Sequence, residues 1–134
     1  MSNPAQPSPP PVPGPEPFDG RPPSAARTRA DAMARFEHDL EFFERIVPLF
    51  RQAASEQAAA LLEAVERGDA LAVQHWAHTL KGSLLTVGAN DTAARAAELE
   101  LAARERRHED LPARARRLAA EATIIVSNLA VADR

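Results

Sequence analysis

The chain has 134 residues, a net charge of −3 at pH 7, a single lysine and no cysteine. The length favours one domain, and the lack of cysteine excludes disulfides, thiol catalysis and cysteine-based zinc sites. Acidic and basic residues are mixed without a basic stripe, and no apolar run is long enough to span a membrane. We therefore expect neither nucleic acid nor a membrane as partner.

The N-terminal segment is rich in proline, because ten of the twelve prolines lie between Pro4 and Pro23. Proline does not fit a helix interior, so we predict a disordered leader over residues 1–24 and one folded domain over residues 25–134. The leader lacks the charged start and apolar stretch of a secretory signal, which favours a cytoplasmic protein. The excess of alanine and arginine suggests a bacterial one.

From residue 25 onwards the composition predicts helices, because alanine, arginine, glutamate and leucine dominate and β-branched residues are few. A short first helix is predicted over about residues 25–36, and a long second helix over about residues 39–67. We predict that Pro48 kinks or divides the second helix, because proline removes one backbone hydrogen bond. Its apolar positions recur at three- and four-residue steps, as in a buried stripe: Leu40, Phe43, Val47, Phe50, Ala54, Ala58, Leu61 and Val65.

Turn residues separate three further helices. Gly68 is predicted to end the second helix and Asp69 to cap the third, while Gly88 ends the third and Asn90 or Asp91 caps the fourth. The predicted ranges are about residues 70–87, 91–107 and 112–131. Four long amphipathic helices with short connections predict an all-α fold, an antiparallel four-helix bundle with a short extra N-terminal helix.

The third helix has two faces of different character. At 100° per residue, its apolar stripe consists of Val73, Ala77, Leu80, Leu84 and Val87. A neighbouring stripe contains Gln74, His78, Lys81, Gly82 and Leu85. His78 therefore points away from the core, with Lys81 and Gly82 one helical turn further along the same face.

The residues on this second stripe favour nucleophilic chemistry. An imidazole is mostly neutral at pH 7 and has one nitrogen lone pair, so His78 is a competent nucleophile. Lys81 can offset the charge of a phosphoryl group on that nitrogen, and Gln74 can hydrogen-bond the ring or the phosphoryl group. Gly82 weakens the helix by about 1 kcal/mol relative to alanine, but it leaves bare backbone that another protein can approach. We expect no metal, because His75 and His78 lack a third ligand nearby.

The stretch "AHTLKGSLLTVGA", residues 77–89, resembles the signature of histidine-containing phosphotransfer (HPt) domains. "RGD" at residues 67–69 and the pair Leu99–Glu100 also lie where that family would place them. The resemblance covers about residues 28–131. Two positions depart from the family's pattern: Pro48 lies within a helix that is usually unbroken, and Thr92 lies where an apolar residue is expected.

The resemblance implies a role for each of the residues on the exposed stripe. His78 would be phosphorylated on Nε2, Lys81 would attract the phosphoryl group and Gly82 would give it room. Gln74, His75 and Leu85 would belong to the surface that docks the partner.

The resemblance also implies the partners. These would be receiver domains of response regulators or of a hybrid histidine kinase. Magnesium would be held by the receiver, so this chain would need no cofactor. We expect a monomeric phosphocarrier rather than a stand-alone kinase.

Two other functions remain open from the sequence. A non-catalytic adaptor would dock a receiver on the same face without accepting phosphate. A dimeric phosphoacceptor bundle of a histidine kinase would need an ATP-binding domain, and it would usually have an acidic residue where this chain has Thr79.

Overall fold

The computed structural model describes residues 24–37, 39–106 and 110–132, without the side chains of residues 131 and 132. These residues form helices and no strand, so the predicted all-α fold is confirmed. The proline-rich leader up to residue 23, His38 and residues 107–109 lie outside the described part of the chain. The helices are α1 (Ala25–Arg35), α2 (Leu40–Glu66), α3 (Ala70–Thr86), α4 (Asn90–Arg104) and α5 (Leu111–Ala132). None of these five helices is both long and apolar enough to cross a membrane.

The four longer helices enclose one core. Helix α3 packs against α2 and α4, and α5 packs against the same two helices, while α1 lies mainly against α5. Many of the buried residues are alanines, so neighbouring helices can approach closely. The largest fully buried side chains belong to Leu61, Leu80, Leu84, Leu99, Leu118, Ile125, Leu129, Val47 and Val87.

Of the two predicted effects of Pro48, a kink or a division of the helix, the division is wrong, because α2 continues through Pro48. Pro48 lies on the exposed face, and so does Glu44, whose carbonyl loses its intrahelical partner. Water can satisfy that carbonyl, so the helix need not end there. The prediction that Leu40 belongs to the buried stripe is also wrong. Leu40 is exposed as the first residue of the helix, whereas Phe43 one turn later is buried.

The glycine turns follow the prediction. Gly68 and Gly88 have φ values of 67° and 72°, the left-handed conformation that favours glycine after a helix. The side chain of Asp69 accepts a hydrogen bond from the backbone N–H of Ala72 (3.0 Å) and so caps α3. Gly88 also lies close to α1, since a Cβ there would be 2.5 Å from the carbonyl oxygen of Asp31.

The start of α4 differs from the prediction. Asn90 and Asp91 both lie inside the helix, and the N-cap is Ala89, which makes no side-chain capping bond. The carboxylate of Asp91 accepts a hydrogen bond from Arg27 of α1 instead (2.9 Å). This contact links α1 to the first turn of α4.

Thr92 is buried at a position where the family resemblance implies an apolar residue. Its hydroxyl donates to the carboxylate of Glu121 on α5 (3.2 Å), and Nε of Arg95 donates to the same oxygen (2.8 Å). A buried hydroxyl is tolerated when it has such a partner. Thr92 thus joins α4 to α5 by a hydrogen bond.

Candidate functional site

The exposed stripe of α3 is fixed by the opposite side of the same helix. Val73, Ala77, Leu80 and Leu84 are buried in the core. Because these positions recur every three or four residues, they orient α3 so that His78 faces outward. The side chain of His78 is 65% exposed, and solvent or a partner protein can reach it.

The ring of His78 is held by a carboxylate from the next helix. Its Nδ1 lies 3.2 Å from Oε1 and 3.1 Å from Oε2 of Glu100 on α4. This contact forms because α3 and α4 pack side by side. Glu100 itself is buried, with a side chain only 11% exposed.

Glu100 also binds two cations. Nζ of Lys81 donates to Oε1 (3.1 Å), and Nη2 of Arg104 donates to Oε2 (3.3 Å). Burial raises the pKa of the Glu100 carboxyl, but the hydrogen bonds from Lys81 and His78 outweigh that effect, and the pKa lies below its ordinary value. Glu100 is therefore an anion at neutral pH.

An ionised carboxylate can only accept hydrogen bonds, so the contact with Glu100 requires a proton on Nδ1 of His78. In the neutral imidazole the lone pair is then on Nε2. None of the described residues hydrogen-bonds to Nε2. The arrangement presents a nucleophilic nitrogen on an exposed helix face.

The other predicted site residues lie on the same helix as His78. Lys81 is directed to Glu100, so in this structure its ammonium neutralises a carboxylate. A Cβ built on Gly82 would meet nothing within 4 Å. His75 is exposed, with its ring edge-on to Trp76 (4.8 Å between centroids), and Gln74 is half-buried.

Two leucines lie on the same face at seven-residue steps from His78. Leu85, which the sequence singles out, is 44% exposed, and Leu71 is 76% exposed. Leu71 is a further member of this face that the sequence motif does not include. Seven residues are nearly two helical turns, so the three side chains form one column along α3.

Glu100 is the main site residue without a role in the sequence analysis. A signal was present, because Glu100 lies four residues after Ala96 and three before Ala103, both buried. An acidic residue at an inward-facing position of a helix needs a partner of opposite charge. The sequence could not identify that partner, since the contact with His78 depends on how two helices pack.

A protein-family model, that of the Hpt domain, matches residues 45–128, which include α3, α4 and the whole cluster around Glu100. Searches of curated proteins and of solved structures gave no match. Hpt domains take part in histidine phosphotransfer in two-component signalling and interact with receiver domains. Because the match covers more than half of its length, the chain belongs to the Hpt domain family.

Proposed function

We propose that this chain carries a phosphoryl group on Nε2 of His78. It accepts the group from the aspartyl phosphate of one receiver domain and passes it to the aspartate of another. The observation that supports this most directly is the contact between Nδ1 and Glu100, on a ring whose side chain is 65% exposed. That contact supports the proposal because an ionised Glu100 favours a proton on Nδ1, which leaves the lone pair on Nε2.

The transfer needs no separate base. The lone pair of Nε2 attacks phosphorus, the N–P bond forms, and the P–O bond to the receiver's aspartate breaks with its electron pair on the leaving carboxylate. The ring keeps its proton on Nδ1 and becomes positively charged. The anionic Glu100 beside Nδ1 stabilises that charge, which is electrostatic catalysis by a pre-formed partner. The reverse sequence delivers the group to the second receiver.

Lys81 and Gly82 serve the incoming group. Lys81 lies one turn from His78 and can neutralise part of the phosphoryl charge. Gly82 leaves open space beside the helix, into which the receiver's active site can fit. In this proposal the receiver supplies the magnesium ion, so the chain has no cofactor of its own.

The receiver docks on the column formed by Leu71, His78 and Leu85. Two exposed leucines on either side of the reactive ring offer apolar surface that a partner can bury. Gln74 and His75 flank the column and complete the docking surface. We further propose that the chain acts as a monomer and that its four longer helices run antiparallel.

The test is transfer of labelled phosphate from phosphorylated receiver domains to the chain. Wild type and His75→Gln are expected to gain an acid-labile label, and His78→Gln is expected to gain none. His75→Gln is the matched control for the phosphorylated position, because it removes an exposed imidazole that the proposal assigns to docking and not to accepting phosphate, so the presence of label is compared and not its rate. Label that persists in His78→Gln, or that disappears only in His75→Gln, would rule out this site.

The same experiment separates the relay from a non-catalytic adaptor. An adaptor would bind a receiver and stay unlabelled with every receiver tested. Binding without label in the wild-type chain would therefore favour the adaptor and overturn the proposed function.

A further inference from the structure

Arg104 is the second cation on Glu100, and neither the motif nor the proposed reaction uses it. Its Nη2 donates to Oε2 (3.3 Å), while Lys81 donates to Oε1 (3.1 Å). Arg104 lies four residues after Glu100, at the end of α4, where the helix dipole favours a positive charge. Each oxygen of the buried carboxylate therefore has its own cation.

The proposed reaction gives Lys81 two competing partners. Before transfer, its ammonium binds Glu100. After transfer, the phosphoryl group on Nε2 presents a second negative charge one helical turn away. If Lys81 turned to that group, Glu100 would lose one of its donors, and a buried carboxylate without compensation is costly.

We propose, on the basis of the proposed function, that Arg104 is a positioning residue that keeps Glu100 compensated while Lys81 turns to the phosphoryl group. Arg104 is suited to this because it shares a helix with Glu100, whereas Lys81 shares a helix with His78. Oε2 keeps the contacts with Arg104 and with Nδ1 when Oε1 loses Lys81.

The exposure of the Arg104 side chain determines how strongly its removal should affect the position of Lys81. Its side chain is 59% exposed, so water screens its charge. Removal of such an ion pair should change the balance between the two positions of Lys81 by about two- to fivefold.

Lys81 is the only lysine, so it provides a unique spectroscopic probe. A chain labelled with 15N-lysine gives one side-chain ammonium signal, which can be followed by NMR. Phosphoramidate serves as a donor that needs no partner protein. Its P–N bond breaks with loss of ammonia as the new N–P bond to His78 forms, and intact mass measures the label.

In the wild-type chain the Lys81 signal should shift when His78 is phosphorylated. In Arg104→Gln the shift should be smaller, because the ratio of molecules with Lys81 on Glu100 to molecules with Lys81 on the phosphoryl group is about two- to fivefold larger than in wild type. Arg104→Lys keeps the positive charge and should restore the shift of the Lys81 signal. The second ammonium signal of this variant, from the introduced lysine, is recognised because the wild-type spectrum lacks it. Arg116→Gln is the matched control, since it removes one exposed arginine charge from α5.

The outcomes separate this inference from the proposed function. A labelled wild-type chain whose Lys81 signal does not move, or an Arg104→Gln chain that behaves as wild type, would overturn the inference and leave the phosphocarrier intact. No label on His78 from either phosphoramidate or receivers would overturn both. If Arg104→Gln fails to fold, Arg104→Met takes its place, because it keeps an unbranched side chain and also removes the charge, and the same outcomes decide the question.

Discussion

At the scale of single residues, the carboxylate of Glu100 lies beside the ring at which the proposed reaction takes place. It accepts a hydrogen bond from Nδ1 of His78 and remains ionised because Lys81 and His78 lower the pKa of its carboxyl against the effect of burial. Replacing it with glutamine keeps an oxygen that accepts the hydrogen bond but removes the charge. The Glu100→Gln variant therefore tests the electrostatic stabilisation of the ring separately from its orientation.

We predict that Glu100→Gln slows phosphoryl transfer from a receiver about tenfold, because hydrogen bonds to charged groups are stronger than those to neutral groups by about 1–1.5 kcal/mol. The measurement is the rate of label transfer to His78. Glu98→Gln, an exposed position on the same helix, is the control and should transfer at the wild-type rate. Equal rates for the two variants would show that the charge of Glu100 is not used.

Gly82 gives a second prediction, because the fold of the chain does not require a glycine at this position. A Cβ at this position meets nothing within 4 Å, so Gly82→Ala should raise the free energy of unfolding by about 1 kcal/mol. The same methyl group should slow transfer from a receiver, which needs the space, but not labelling by phosphoramidate. Urea denaturation and the two transfer rates measure this, and a variant that is less stable or equally fast with receivers would contradict it.

At the scale of helices, α1 is fixed against the turn that follows α3. Nε of Arg35 donates to the carbonyl of Leu85 (3.3 Å), and Gly88 leaves no room for a side chain next to Asp31. The Hpt family match begins at residue 45 and so does not include α1. These contacts place α1 next to one end of the proposed docking column.

A comparison of Gly68 with Gly88 distinguishes the cost of backbone strain from the cost of the close contact between α1 and the turn after α3. Gly68 and Gly88 both have positive φ, so an alanine at either position should cost about 1–2 kcal/mol in stability. Only Gly88→Ala also brings a Cβ to 2.5 Å from a carbonyl oxygen, and nothing lies within 4 Å at Gly68. We predict that Gly88→Ala lowers the free energy of unfolding, measured by urea denaturation, clearly more than Gly68→Ala does. Equal losses would mean that α1 does not constrain this turn.

At the scale of the whole molecule, the sequence predicted what depends on local periodicity. The burial of Val73, Ala77, Leu80 and Leu84 follows from their spacing, and it orients His78 outward. The cap at Asp69 was predictable, because an aspartate after a glycine turn is a strong start signal for a helix.

What the sequence did not predict depends on contacts between helices. Asn90 or Asp91 was expected to cap α4, yet both lie inside the helix, and Asp91 binds Arg27, 64 residues earlier. The role of Glu100 likewise arises only where α4 packs against α3. Such pairings are determined by tertiary packing, which periodicity alone does not specify.

The central claim is that Nε2 of His78 reacts while Glu100 holds Nδ1. The most direct measurement is a 15N NMR spectrum of the histidine rings after the chain has been phosphorylated by a receiver domain. The account predicts phosphorus on Nε2 of His78 and a proton on Nδ1. Phosphorus on Nδ1, or on the ring of His75, would contradict it.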